Sequence, residues 1–282
     1  MKNAIKHEMK KMLAYRNYRI ALVLGMIIIA AHFISVAYYV NTFFSIMADA
    51  QHPMGLDSIS LLVLFIPADG WFMTATLFYL VLPVLAALPF GASLHKERKS
   101  GYQMQVISHC GKKQYLTAKL LVCAMSGFML IFTLLMLDVM LCAVVCPLAP
   151  VHVLSLISAV MQGSFASGLF YNHPVLYIAV CILMSSVWGA VCAVIALASE
   201  MYLSNSFLIT VFPCLLMLAI TTIMELPRGT LFKGAYELRP LLLMRAAPNN
   251  PNPAWYILLW QCGFALTAII VYYRKGMKRE NL

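Results

Sequence analysis

The sequence predicts an all-α polytopic membrane protein with six transmembrane helices and both termini in the cytoplasm. Three observations carry that expectation. Hydrophobic residues make up 62% of the chain and charged residues 11%, with a mean hydropathy of +0.85. Soluble domains are roughly 45–50% apolar and about 25% charged, so this chain has too little polar surface to coat a water-facing globule. The apolar residues fall in runs close to the ~20 residues that a spanning helix requires. Finally, sixteen of the 20 Lys and Arg lie in three segments, residues 1–19, residues 95–119 and the tail beyond 273, the distribution that the positive-inside bias gives to cytoplasmic segments. The same clustering accounts for the net charge of +10 without a nucleic-acid partner. A large soluble catalytic domain is excluded.

Residues 1–19 place Ile5, Met9, Met12 and Leu13 at helical spacing, with Lys2, Lys6, Lys10, Lys11 and Arg16 on other faces. This is the pattern of a cytoplasmic helix lying in the membrane interface, with a solvated basic tail as the plainer alternative. Residues 20–282 then form the six-helix transmembrane domain. The first span, about 20–40, is read as retained and not as a removed signal. Residues 41–70 contain Asp49, Asp57 and Asp69 but no Lys or Arg, and belong to an outer loop. Its apolar stretch 59–68 is too short to cross.

The second span is expected at 71–94, kinked by Pro83 and Pro89, and the third at about 120–146. Outer loop 147–174 again lacks Lys and Arg, and its apolar stretch 151–161 suits a partly inserted or surface-lying helix. Spans four and five, about 175–198 and 207–224, are joined by a tight inner turn at 199–206. Outer loop 225–254 is broken by Pro227, Pro240, Pro248, Pro251 and Pro253, and carries Arg228, Lys233, Arg239 and Arg245. Those charges either meet anionic groups or keep the loop in water. Trp255, Tyr256 and Trp260 open the sixth span and Tyr272 and Tyr273 close it, an aromatic anchor at each interface. All eight cysteines except Cys110 lie in apolar runs and read as small buried hydrophobes; Cys142 and Cys146, one helical turn apart, are also spaced for a metal or redox pair.

The longest cytoplasmic loop, 95–119, is the most informative segment. The charged run from His95 to Lys99 extends the second helix out of the membrane, and Gly101 can end it in a left-handed cap. A short semi-apolar helix follows from Tyr102 to Ser108 before Gly111 turns the chain back, offering Tyr102, Val106 and Ile107 to a partner. Charge alone, serving topology and solubility, would not need that embedded helix.

This order of features resembles the permeases of type 2 ABC exporters. Glu97 and Gly101 match the family's acidic-x-x-x-glycine, Tyr102 to Ser108 its short coupling helix, Lys112 and Lys113 its basic turn, and Lys119 the lysine entering the third span. The amphipathic start, the six spans and the tight inner turn extend the likeness over nearly the whole chain. The sequence departs from the family at Tyr102, where Thr is common, and at His109-Cys110, where the family often has Pro. The resemblance implies docking of the loop on a separate ATP-binding subunit, with Glu200 in the inner turn as a second docking point or a plain polar turn residue. It further implies a second permease copy or paralogue, export as the direction, and residence as a multi-pass protein in the bilayer of a bacterial plasma membrane.

No G-x-x-x-x-G-K-[ST] occurs, so ATP and Mg are expected on the partner chain, with no cofactor, metal or catalytic residue on this one. His7-Glu8 does not continue into H-E-x-x-H, and His32, alone in the first span, reads as a satisfied or interface-facing residue. Asp138 is the ionisable residue that stands out at depth. It belongs either to the translocation path or an interhelical hydrogen bond, or it reaches water at the span end. The competing functional reading is a membrane scaffold or sensor subunit without an ATPase.

Overall fold

The computed structural model describes residues 8–12, 15–49, 59–149, 151, 164–228, 237–245 and 252–278. Among these residues the only regular secondary structure is helical. After the helical residues 8–12 come α1 (Arg16–Asp49), α2 (Leu61–Leu64), α3 (Met73–Ala87), α4 (Ser93–Lys99), α5 (Tyr102–Cys110), α6 (Lys112–Val145), α7 (Ser167–Asn172), α8 (Pro174–Ser199), α9 (Ser206–Arg228), α10 (Pro240–Leu243) and α11 (Ala254–Lys278). Five of them, α1, α6, α8, α9 and α11, contain stretches long and apolar enough to cross a membrane. The chain is a multi-pass membrane protein.

The expected second span is divided. Helix α3 has 15 residues, about 22 Å at 1.5 Å per residue against a hydrocarbon core of roughly 30 Å. Pro83 is accommodated inside it, whereas Pro89 lies in the turns between α3 and α4. Proline lacks the N–H that would continue the ladder, and its ring crowds the preceding turn. The flanking chain recovers helical bonds at Leu88 N–H to Val84 O (3.0 Å) and Gly91 N–H to Ala87 O (2.8 Å).

Helix α8 is the centre of the bundle and packs against α6, α3, α9 and α11, while α1 lies on α6 and α3. The α6–α8 seam is lined by small residues that let the backbones approach. A Cβ added at Gly127 would stand 2.5 Å from the Gly189 carbonyl oxygen and 2.8 Å from Ala193 Cβ, and the Cys123 thiol donates to Ala193 O at 3.3 Å. Without a hydrophobic drive between helices in lipid, such close contact supplies the dispersion energy of association.

Two corrections concern the expected outer loops. Helix α1 runs on to Asp49, past the predicted end of span one. The apolar stretch 59–68 forms only the four-residue α2, too short a helix to cross a membrane, yet it is no surface loop either. Ile59 to Ile66 and Ala68 are all buried, with the Leu61 N–H donating to Pro147 O at 2.9 Å and the Ser60 hydroxyl to Ala149 O at 2.7 Å. The segment folds back between the helices because a run of this hydrophobicity gains from burial and finds partners for its backbone there. The expected helix at 151–161, apart from Val151, and Lys233 lie outside the described residues, as do Lys2, Ile5, Lys6 and Leu13 of the N-terminal stretch.

Candidate functional site

Residues 8–12, the segment from Ser93 to Lys119, the turn at Glu200 and the end of α11 meet at one end of the bundle, its basic end. Lys112 donates to Met277 O at 3.1 Å, the hydroxyls of Thr117 and Tyr273 pair at 2.9 Å, and Lys275 Nζ sits 4.3 Å from the centre of the Tyr202 ring.

The loop there is a helical hairpin set between two glycines. Gly101 adopts φ 71, ψ −6 between α4 and α5, and Gly111 adopts φ 76, ψ 149 between α5 and α6. These are the reversals that a side chain opposes and glycine permits. Helix α5 is amphipathic and turns its apolar side inward. Val106 and Ile107, expected as an exposed grip, are half-buried against the core, and Gln103 is buried. The exposed positions are instead Met104, Gln105 and Ser108. Tyr102 begins α5, and its side chain lies outside the described residues. Lys113 is exposed.

Beneath the hairpin lies a buried charge cluster. Glu97, the acidic residue matched to the coupling loop, is only 4% exposed. It accepts hydrogen bonds from Lys119 Nζ at 2.5 Å, from the Tyr115 hydroxyl at 2.5 Å and from Lys11. Lys119, with no exposed surface, also donates to Glu8 at 3.0 Å and lies 4.3 Å from the centre of the Phe90 ring. The charged run of α4 therefore turns its carboxylate inward, because a lysine and a tyrosine one turn apart on α6 await it. Burial alone would raise the Glu97 carboxyl. The Lys119 charge, with hydrogen bonds from Lys11, Lys119 and Tyr115, outweighs burial and holds the group below its ordinary range.

Glu200, in the inner turn, is also buried, at 2% exposure. Its circumstances are the reverse of those of Glu97. Burial pushes its carboxyl well above the ordinary value, opposed by the Lys119 and Arg98 charges and the Leu94 backbone and reinforced by Glu97.

At the other end of the bundle Asp138 is fully buried, which corrects the reading that it reaches water. It joins helices instead. His32 Nδ1–H on α1 donates to its Oδ1 at 2.8 Å, and the Ile66 N–H donates to its Oδ2 at 2.8 Å. The other ring nitrogen of His32 stands 3.5 Å from Asp69 Oδ2, and Asp69 is itself held by the backbone N–H groups of Trp71 (2.8 Å) and Phe72 (3.2 Å). His32, Asp69 and Asp138 all have no exposed surface. Cys142 adds its thiol 3.8 Å from Asp138 Oδ1, and donor atoms of His32, Asp138 and Cys142 lie within 4.8 Å of one another.

Sequence reasoning named Asp138 but missed Asp69, and it left His32 alone. His32 and Asp138 are 106 residues apart, and Ile66 and Asp138 are 72 apart, so no local periodicity reports on them. The usable signal was that a histidine and an aspartate at depth in different spans each need a partner. No known family model matches the chain, and no curated protein matches it.

Proposed function

We propose that this chain is the membrane-spanning permease subunit of an ATP-driven ABC exporter, of the type 2 class, working with a separate ATPase chain. In this reading the basic end faces the cytoplasm, the chain crosses the bilayer six times with α3 and the turns up to Leu94 as the second crossing, and a second copy or paralogue completes the passage. ATP and Mg reside on the partner, and this chain carries no nucleotide chemistry of its own. The membrane is a bacterial plasma membrane.

The observation that carries the proposal is the clamped hairpin. Helix α5 offers Met104, Gln105 and Ser108 to solvent, while directly beneath it Glu97 ties α4 to α6 through Lys119 and Tyr115 and to the N-terminal segment through Lys11. A force applied to α5 by a docked ATPase would pass into α6, the longest of the crossing helices together with α1, without being lost in a flexible loop. ATP binding then shifts the population of inward-open and outward-open states, because the paired ATPases hold two arrangements of the hairpins with different affinity.

The test is co-purification of a candidate ATPase subunit with this chain. Exposed α5 substitutions such as Met104→Asp and Gln105→Arg should abolish association while leaving the permease folded. Undiminished association and ATP-dependent transport in both would overturn the docking assignment. Orientation is read separately from single cysteines at Ser108 and Asn249, in a chain otherwise free of cysteine, with an impermeant reagent on intact cells. Labelling at 249 and protection at 108 are expected, and the reverse would invert the topology.

A further inference from the structure

The cluster around Asp138 has more than a hydrogen-bonding strut requires. Asp138 and Cys142 are four residues apart on α6, so a carboxylate and a thiol share one helix face. His32 approaches that face from α1. Nitrogen, oxygen and sulfur donors thus meet in a place with no exposed surface.

We propose that His32 Nδ1, Asp138 Oδ1 and Cys142 Sγ bind a divalent transition metal of the zinc class, with the fourth position left to a water and Asp69 as the residue that orients the imidazole.

The separations fit such an ion. Bonds of about 2.0–2.3 Å in a tetrahedron put neighbouring donors roughly 3.3–3.8 Å apart. The thiol to carboxylate distance is 3.8 Å, and the imidazole to carboxylate distance of 2.8 Å needs to open by only a fraction of an ångström. The surroundings fit better still. A metal-bound histidine almost always gives its other N–H to a carboxylate, and bound carboxylates are themselves hydrogen-bonded. Here the remaining ring nitrogen faces Asp69 Oδ2 at 3.5 Å with no closer acceptor, Asp69 is fixed by the N–H groups of Trp71 and Phe72, and the free oxygen of Asp138 is held by Ile66 N–H. Imidazole, thiolate and a single carboxylate suit zinc or cobalt and not the oxygen-seeking magnesium or calcium. Starting from the imidazolium form of His32, loading releases the proton on Nδ1 and the thiol proton of Cys142, two protons for one divalent cation; the imidazole stays neutral with its hydrogen on Nε2, and the buried cluster gains no net charge. The metal would fasten α1, α6 and the inward-folded segment 59–72 at one point. This inference does not rest on the transport reading.

The test uses the full chain, tag-free in detergent micelles, stripped with chelator and titrated with Co²⁺ and then Zn²⁺. One Co²⁺ per chain is expected, with a thiolate-to-cobalt charge-transfer band and the intense visible bands of four-coordinate cobalt, all displaced by Zn²⁺. Cys142→Ser should remove the charge-transfer band without altering elution or helical content. Asp69→Asn should weaken binding roughly 10–100-fold. Failure of the parent chain to take up either ion overturns the site. So does a charge-transfer band that persists in Cys142→Ser, since it would then arise from another thiol.

Discussion

Lys119 and Glu97 form an ion pair at 2.5 Å with almost no exposed surface, Lys119 reaching from the first turns of α6 to the middle of α4. Each charge also has other partners, Glu8 for the lysine and Lys11 and Tyr115 for the glutamate. Removing one member of such a network leaves the others buried and uncompensated, which costs about 3–5 kcal/mol. Lys119→Met and Glu97→Ala should therefore each lower the melting temperature in detergent strongly. The double variant should be less destabilised than the sum, a non-additivity that a double-mutant cycle reads directly.

The two buried glutamates at this end should give opposite pH behaviour. The Glu97 carboxyl is depressed when folded, so its contribution is complete above its ordinary value of 4.5 and is lost as pH falls through the depressed folded value. The Glu200 carboxyl is raised, so its contribution is present below the ordinary value and is lost as pH rises through the raised folded value. Glutamine mimics the protonated form. Glu200→Gln should match the parent in acid and exceed it in stability at alkaline pH, whereas Glu97→Gln should be weaker at neutral pH and approach the parent only in acid. Melting curves across the pH range check both.

At the α6–α8 crossing, Gly127→Ala would set a methyl group 2.5 Å from the Gly189 carbonyl oxygen, a contact that backbone cannot easily relieve. A loss of at least about 1–3 kcal/mol is expected. Gly263→Ala, whose added Cβ meets nothing within 4 Å, is the matched control and should be neutral or slightly stabilising. Equal melting temperatures for the two would refute the close crossing.

The hairpin glycine at 101 makes a sharper distinction. With φ 71 and open space around its Cβ position, Gly101→Ala meets no steric neighbour and suffers only the left-handed penalty of roughly 1–2 kcal/mol, while Gly101→Asn should be milder. Gly101→Pro cannot adopt the angle at all, because the ring fixes φ near −65°. Limited proteolysis of residues 99–112 should rank the variants parent, Asn, Ala, Pro in order of increasing cleavage.

Much of the bundle was legible in the sequence, because hydropathy and helix length report directly on lipid exposure. The predicted spans at 175–198, 207–224 and 255–273 fall inside α8, α9 and α11. Gly101 and Gly111 were legible too, since glycine beside a charged run marks a reversal. What escaped was long-range pairing. Glu97 lies in a run of charges that looks solvated, and nothing near it in sequence announces Lys11 or Tyr115 as partners. Residues 59–68 have the hydropathy of a span without its length, and their docking against Pro147 and Ala149 depends on chain far downstream. Asp138 was conspicuous, but the histidine that meets it was not distinguishable from one facing lipid headgroups.

The inward-folded segment has a consequence for biogenesis. Its backbone and side-chain acceptors, Pro147 O, Ala149 O and Asp138 Oδ2, do not exist when residues 59–68 leave the ribosome. At a synthesis rate on the order of 5–20 residues per second, several seconds pass before α6 is inserted and the segment can dock. During that interval a strongly apolar stretch lacks the hydrogen-bond partners it has in the folded chain.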